Sequence, residues 1–271
     1  VVYTLSTPDI QANKNRTAIC LIKTDGTGRI QLTQGKESQV EPAFIDEGER
    51  IAYLQGGNLW TMKCDGTDKK QLSQGEDIEG YKFSPDGKQI VVIRQVASTT
   101  SIMPKEKDLP LATGLVINDM NYRHWDQYVQ TIPHIFLASV EKDGLGEMKD
   151  LLEGEPYECP VLPFGGSEQF CWSPDGKQIA YTSRKKTGVD YATSTDTDIY
   201  IYNVETGQTT NVCKPEGYVE PKADALKSLE KQAKNQQSED INAGYDQDPQ
   251  FSPDGTMLAW KSMERDGYES D

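Results

Sequence analysis

The sequence predicts an all-β protein built from repeated four-stranded antiparallel blades, and two kinds of repeat support this prediction. The first repeat is an aromatic residue, a Ser-Pro-Asp-Gly segment and a second apolar strand. It occurs at residues 83–93, 172–181 and 251–260, with a divergent copy at residues 44–53. Proline fixes φ and glycine tolerates a left-handed conformation, so this order of residues favours a tight turn. Each copy is therefore predicted to be a β-hairpin.

The second repeat is an outer hairpin. Residues 19–35 align with residues 59–75 at an offset of 40 residues without a gap, and an Asp-Gly turn divides each segment. Looser versions lie at residues 134–153 and 198–213. A period of about 40 residues built from paired hairpins is typical of propeller blades. The two repeats together therefore define a four-stranded unit.

The strand that follows the turn at residues 84–87 is apolar throughout, reading Ile-Val-Val-Ile over residues 90–93. Such a run indicates burial on both faces of a sheet, which a single hairpin cannot provide. Stacked sheets do provide it. The predicted fold is therefore a truncated β-propeller of about four blades plus a partial one, with a loop insertion and a short helix.

We expect residues 1–271 to form a single partial propeller. Its blades are predicted at residues 1–35, 38–75, 78–154, 167–214 and, as a partial blade, 245–271, with insertions at about 97–133 and 215–244. Apolar residues three and four apart predict an amphipathic helix at residues 220–238. Both chain ends fall within the repeat, so we expect a piece of a longer protein whose open propeller edges favour self-association.

Composition restricts the partners. The chain has 43 acidic and 28 basic residues, a formal charge of −15 and a pI near 4.6. This balance argues against nucleic acid and anionic membrane surfaces as partners.

No apolar run has the length of a membrane span, and we expect a soluble protein in the periplasm or another extracytoplasmic compartment. Of the five cysteines, Cys159 and Cys171 are the pair that an oxidising compartment would allow to join.

The sequence contains no recognisable catalytic set. A nucleophile elbow requires Gly-x-Ser-x-Gly, and the nearest segment, residues 165–169, lacks the final glycine. The two histidines do not have metal-ligand spacing, and no glycine-rich phosphate loop is present. We therefore expect no catalytic residue, no metal and no cofactor in this chain.

One stretch combines residue types suited to binding. Tyr122, Arg123, His124, Trp125 and Asp126 lie together in the first predicted insertion. They supply stacking faces, a bidentate cation and a titratable ring on a loop, where binding residues often lie. They are our candidate substrate-binding residues. The alternative is that they hold the long loop against its blade, with Arg123 and Asp126 in internal salt bridges.

These motifs resemble a known family. The repeated turn followed by Ile-Ala-Tyr resembles the propeller repeat of TolB-like proteins and of the prolyl oligopeptidase family of serine peptidases. Residues 119–126 and 191–200 resemble bacterial dipeptidyl peptidases and acylaminoacyl peptidases of that family. The resemblance covers nearly the whole chain. It implies an amino-terminal, non-catalytic propeller that gates and helps to bind short peptide substrates for an α/β-hydrolase domain.

That hydrolase domain, with its Ser, Asp and His, is not in this sequence, so no catalytic residue can be carried over. A TolB-like propeller that acts as a protein-binding module is the main alternative. A propeller glycosidase would need clustered carboxylates at the pore-facing strand starts. A sialidase would show Ser-x-Asp-x-Gly-x-Thr-Trp turns, whereas Asp and Gly are adjacent in the turns of this chain. The sequence after Asp271 would separate a peptidase from a binding module.

Overall fold

The structure is a computed structural model of the chain. It describes residues 1–35, 37–98, 111, 113–117, 119–218, 241–263 and 265–267, with only the backbone of His124. The helix predicted at residues 220–238 lies outside the described residues. The chain divides into two compact units, residues 1–94 with 136–149 and residues 95–135 with 150–271.

The first two sheets belong to the first unit, and both are antiparallel. The first sheet has the order β1-β2-β3, with strands β1 (Val2–Asp9), β2 (Lys14–Leu21) and β3 (Ile30–Gln31). The second has the order β4-β5-β6-β7, with strands β4 (Gln39–Ile45), β5 (Arg50–Gln55), β6 (Asn58–Lys63) and β7 (Lys70–Gln71).

The sequence of the third sheet also contains a small hairpin. The hairpin consists of β10 (Arg123–His124) and β11 (Gln127–Tyr128). The sheet has the order β13-β12-β9-β8, and β14 also pairs with β12. Its strands are β8 (Gly80–Phe83), β9 (Gln89–Ala97), β12 (Thr131–Glu141), β13 (Gly144–Leu145) and β14 (Lys149–Asp150).

The second unit contains a four-stranded sheet, a two-stranded sheet and a short helix. The four-stranded sheet runs in the order β15 (Phe170–Trp172), β16 (Gln178–Ser183), β17 (Asp198–Asn203) and β18 (Thr209–Asn211). The two-stranded sheet pairs β19 (Asp246–Phe251) with β20 (Leu258–Ser262). Helix α1 (Gly188–Thr193) is the only α-helix among the described residues. The prediction of a mainly antiparallel β structure is confirmed.

The Ser-Pro-Asp-Gly segments form the same turn three times. In the first copy, the hydroxyl of Ser84 donates to Asp86 Oδ1 at 2.8 Å and accepts the N–H of Gln89 at 2.9 Å. Equivalent bonds close the turns that begin at Ser173 and Ser252. The glycine φ angles are 70°, 69° and 70°, which a side chain would strain. The predicted hairpins are confirmed.

The divergent copy closes differently. Residues 46–48 form a 3-10 turn in which Asp46, Glu47 and Gly48 all have positive φ, at 50°, 52° and 92°. The N–H of Glu49 donates to the carbonyl of Asp46. This copy lacks the serine and proline of the other turns, so the hydroxyl bonds that close those turns cannot form.

The 40-residue offset of the outer hairpins corresponds to repeated hydrogen bonds. The N–H of Ile19 donates to Thr33 Oγ1 at 2.8 Å. Forty residues later, the N–H of Leu59 donates to Ser73 Oγ at 2.9 Å. The aligned positions therefore have the same structural role in both copies.

The core is made by the apolar strands that follow the turns. Residues 90–93 are all buried, as expected for a strand covered on both faces. One buried cluster of the first unit consists of Ile19, Leu32, Ile51, Tyr53 and Met62, and one of the second unit consists of Cys171, Ala180, Ile199 and Phe251.

All five cysteines are free, so the Cys159–Cys171 pair is not formed. In the described part of the chain, no helix has the length and hydropathy needed to cross a membrane.

Candidate functional site

The five candidate residues lie in and beside the β10–β11 hairpin. Arg123 faces Tyr128 across the hairpin, and His124 faces Gln127. Residues 125 and 126 therefore form the tip. Trp125 has a φ of +48°, a left-handed conformation that is uncommon for a bulky residue and suits a tight turn. The hairpin extends by one more backbone bond between residues 129 and 122, at 2.9 Å.

Trp125 at the tip contacts a second exposed ring, that of Phe164. The side chain of Trp125 is 72% exposed and that of Phe164 is 81% exposed. Their ring centroids lie 5.5 Å apart at an interplanar angle of 67°, an edge-to-face contact. Each ring thus supports the other while most of both surfaces faces solvent. Exposed aromatic surface of this kind is typical of interaction sites.

The two charged candidates, Asp126 at the tip and Arg123 on strand β10, form no ion pair in the described structure. Arg123 and Asp126 are both exposed, and neither forms an ion pair with a described residue. The loop-holding alternative expected internal salt bridges for these two residues. Tyr122 is half-buried, and the side chain of His124 is outside the description. The hairpin therefore carries an exposed cation, carboxylate and indole within four consecutive residues.

Asp119 joins this hairpin to helix α1. Its Oδ1 accepts the N–H of Asn121 at 2.8 Å, and its Oδ2 accepts the N–H of Gly188 at 3.1 Å. The two bonded segments are 69 residues apart in the sequence. The two stretches that carry the family resemblance, residues 119–126 and 191–200, are thereby brought near each other.

Helix α1 contributes Tyr191 to a buried polar cluster. The Tyr191 hydroxyl donates to Glu158 Oε1 at 2.8 Å, and Arg184 donates to the same oxygen at 3.1 Å. The Arg184 guanidinium also lies 4.1 Å from the centre of the Tyr191 ring. Burial, reinforced by the Glu158 carboxylate, raises the pKa of Tyr191. The phenol therefore stays protonated and acts as a donor that fixes the helix.

A second buried cluster surrounds Asp196. Lys186 Nζ lies 2.8 Å from its carboxylate and Lys214 Nζ lies 3.3 Å away. Burial raises the pKa of Asp196 to about 7, and the nearby carboxylate of Asp198 adds to this, whereas Lys186 and Lys214 oppose it. Sequence reasoning missed both buried clusters. The only signal was that Tyr191, Asp196 and the residues around them fell in a stretch resembling peptidases.

Asp198, Cys213 and Asp246 bring three ligand-type atoms within 4.8 Å of one another. All three residues already have protein partners, and Asp198 Oδ2 accepts a hydrogen bond from Asn211 Nδ2. Asp246 accepts hydrogen bonds from Trp260 Nε1 and Asn242 Nδ2, and Cys213 Sγ accepts the N–H of Ile199. Burial raises the pKa of the Cys213 thiol, which disfavours the thiolate that binds metals. We read this group as structural.

Comparison with known proteins identifies relatives of the chain. Dipeptidyl-peptidase 5 from Porphyromonas endodontalis is 42% identical over 276 residues, and Dipeptidyl-peptidase 5 from Porphyromonas gingivalis is 44% identical over 278 residues. Both matches cover 100% of this chain. This chain is a relative of the dipeptidyl-peptidase 5 proteins. The resemblance predicted from the sequence is confirmed, and the chain spans 36% of the length of each of these relatives.

Solved structures with low sequence identity share the fold of this dipeptidyl-peptidase 5 relative. An acylaminoacyl peptidase from Pyrococcus horikoshii matches 79% of the chain with a TM-score of 0.53, over 30% of its own length. TolB from Acinetobacter baumannii matches 96% of the chain with a TM-score of 0.50, over 46% of its own length. Both are 13% identical to the chain. The predicted β-propeller fold class is confirmed. No family model matches the chain.

Proposed function

We propose that this chain is the non-catalytic propeller region of a serine peptidase of the dipeptidyl-peptidase type. In this proposal it helps to bind short peptides and restricts access to an α/β-hydrolase domain outside this chain. The match of the whole chain to Dipeptidyl-peptidase 5 proteins, of whose length it spans 36%, supports this assignment. The proposal retains the extracytoplasmic location expected from the sequence.

The observation that carries the binding role is the exposed ring pair of Trp125 and Phe164 at the tip of a hairpin with a fixed base. Exposing the apolar surface of these rings to water is unfavourable in free energy. A bound peptide would cover this surface and recover that free energy. The two rings also lose little conformational entropy on binding, because their mutual contact already restricts them. The Asp119 bonds restrict the base of the hairpin that carries Trp125. The hairpin is therefore our proposed peptide contact.

The negative charge of the chain also favours a short peptide as the ligand. The chain carries a formal charge of −15, so its field attracts the positively charged amino end of a short peptide. Asp126 at the tip offers a carboxylate and Arg123 on strand β10 offers a guanidinium, and both are exposed. A peptide carries charges of both signs at its ends, which these two groups can meet.

The test is Trp125→Ala in the full-length protein. We expect KM for chromogenic dipeptidyl substrates to rise about two- to tenfold with little change in kcat, because an aromatic contact of this kind is worth about 0.5–1.5 kcal/mol and would be kept throughout the reaction. Initial rates over a substrate series measure both constants. Ile10→Ala is the matched control, because Ile10 is 89% exposed and lies in the first unit.

Two outcomes would contradict the proposal. Equal losses of thermal stability and activity in Trp125→Ala would show that the side chain holds the loop in place and does not contact substrate. A full-length protein without peptidase activity that instead captured a protein ligand through this hairpin would support the TolB-like binding module.

A further inference from the structure

The β10–β11 hairpin provides little of its own support. Its two strands have two residues each and pair only with one another, and a single two-stranded hairpin is at best marginally stable in water. After Tyr128 the chain soon continues into the long strand β12, which begins at Thr131. The orientation of Trp125 at the tip therefore depends on what holds the other, amino-terminal side of the hairpin.

Asp119 holds that side with both oxygens of its carboxylate. Oδ1 accepts the N–H of Asn121, two residues before β10, and Oδ2 accepts the N–H of Gly188, at 2.8 and 3.1 Å. Both donors are backbone groups, so the bonds fix the course of the main chain. A carboxylate accepts hydrogen bonds through both oxygens, whereas a carboxamide has one acceptor oxygen. Aspartate, unlike asparagine, can therefore make both bonds.

The second bond ties the hairpin to an anchored element. Gly188 is the first residue of helix α1, where backbone N–H groups have no partner within the helix. The preceding residue, Thr187, makes no side-chain cap bond, so Asp119 satisfies one of these groups from 69 residues away. The same helix carries Tyr191, whose hydroxyl donates to Glu158, a side chain that is 1% exposed. The base of the hairpin is thus connected to a buried polar cluster of the second unit.

We propose that Asp119 is a positioning residue for peptide binding, which holds the hairpin to helix α1 and so sets the orientation of Trp125. This inference rests on the proposed function, in which Trp125 contacts the peptide. Asp119 touches no substrate in this proposal and acts only through the side chain of Trp125. Its contribution to binding should therefore disappear when Trp125 is removed.

The test is a double-mutant cycle of Asp119→Asn and Trp125→Ala in the full-length protein, with KM and kcat measured on chromogenic dipeptidyl substrates. Asparagine keeps one acceptor oxygen, and its amide nitrogen cannot accept the N–H of Gly188. Asp119→Asn should raise KM at least about twofold, but by no more than Trp125→Ala does, with little change in kcat. Added to Trp125→Ala, it should leave KM unchanged, because coupled residues do not contribute additively.

Asp25→Asn is the matched control. Asp25 makes the same kind of local bond, since its Oδ1 accepts the N–H of Thr27 at 2.9 Å and the Thr27 hydroxyl at 2.7 Å. Both bonds lie within two residues and within the first unit. This variant should therefore leave KM unchanged in both backgrounds.

A second measurement reports the position of Trp125 without any activity. The chain has four tryptophans, so the purified chain labelled with 5-fluorotryptophan should give four fluorine NMR resonances. Trp125→Ala identifies the resonance of residue 125. Asp119→Asn should shift or broaden this resonance and leave those of Trp60, Trp172 and Trp260 unchanged.

Three results would overturn the inference while leaving the proposed function intact. They are an unchanged KM in Asp119→Asn beside a raised KM in Trp125→Ala, KM increases that multiply in the double variant, and an unchanged Trp125 resonance in Asp119→Asn. A change in all four resonances would also overturn it, because Asp119 would then hold the fold as a whole. An unchanged KM in Trp125→Ala would instead contradict the proposed function itself.

Discussion

Replacing Lys214 by methionine tests how much the buried charges around Asp196 stabilise the second unit. The Lys214 side chain is 3% exposed. Its Nζ donates to the carbonyl oxygens of Ile241 at 2.7 Å and Asn242 at 2.9 Å, and lies 3.3 Å from Asp196. Methionine keeps nearly the same length and removes the charge and all three donors. Two carbonyls and one carboxylate therefore lose a partner together.

The expected loss follows from these contacts. Removing one partner of a buried ion pair costs about 3–5 kcal/mol, and each buried acceptor left without a donor costs about 1–3 kcal/mol. These costs overlap, and Lys186 remains 2.8 Å from Asp196 to compensate part of the charge. We therefore expect the free energy of unfolding to fall by about 3–5 kcal/mol at pH 8.

The loss should depend on pH. Burial raises the pKa of Asp196 to about 7, and Lys214 is one of the groups that oppose this rise. Without Lys214 the pKa rises further. A folded carboxyl that keeps its proton while the unfolded one releases it near pH 4 makes stability fall as pH rises from about 4 through 7. In Lys214→Met this fall should continue to higher pH than in the wild type, so the difference between the two should be smaller at pH 5 than at pH 8.

Urea unfolding followed by tryptophan fluorescence measures both effects, since Trp172 and Trp260 lie in the second unit. Lys88→Met is the matched control. Lys88 is 80% exposed and pairs only with the exposed Asp86 among the described residues, so its loss should stay below about 0.5 kcal/mol. A loss below about 1 kcal/mol for Lys214→Met, or the same loss at pH 5 and pH 8, would refute the reasoning.

Two smaller tests address the turns and the Tyr191 cluster. Hydrogen bonds from Ser252 and Thr256 lower the pKa of Asp254 from 3.8 to about 2, so the wild-type thermal midpoint should fall as pH drops from about 4 to 2. Asp254→Asn should remove part of this decline, and an unchanged decline would contradict the prediction. Tyr191→Phe should cost about 1–3 kcal/mol in the same urea assay because it removes a half-buried donor from the buried carboxylate of Glu158. A loss no larger than that of Tyr3→Phe, which removes no hydrogen bond among the described residues, would contradict the prediction.

The hairpins could be predicted because their signals are local. Ser84, Asp86 and Gln89 bond within six residues, and the bonded pairs Ile19–Thr33 and Leu59–Ser73 are each 14 residues apart. Turn chemistry and a repeated spacing identify such features directly. The continuous apolar strand at residues 90–93 likewise indicated burial on both faces, since no other environment favours it.

The site could be predicted only in part. Aromatic and charged residues within five consecutive positions drew attention to residues 122–126, which form the hairpin tip and its flank. The Glu158 contacts with Arg184 and Tyr191 connect positions 26 and 33 residues apart, where no spacing rule applies.

The closure of the Ser-Pro-Asp-Gly turn has a consequence for how such a chain arises. The bonds of Ser84 to Asp86 and Gln89 use only atoms of the motif, so a duplicated gene segment brings the complete turn with it. The bond between Asp119 and the backbone N–H of Gly188 cannot spread in this way, because it joins segments 69 residues apart that no single copy of the repeat contains. Duplication therefore multiplies the scaffold quickly, while each binding feature must be acquired separately in one copy.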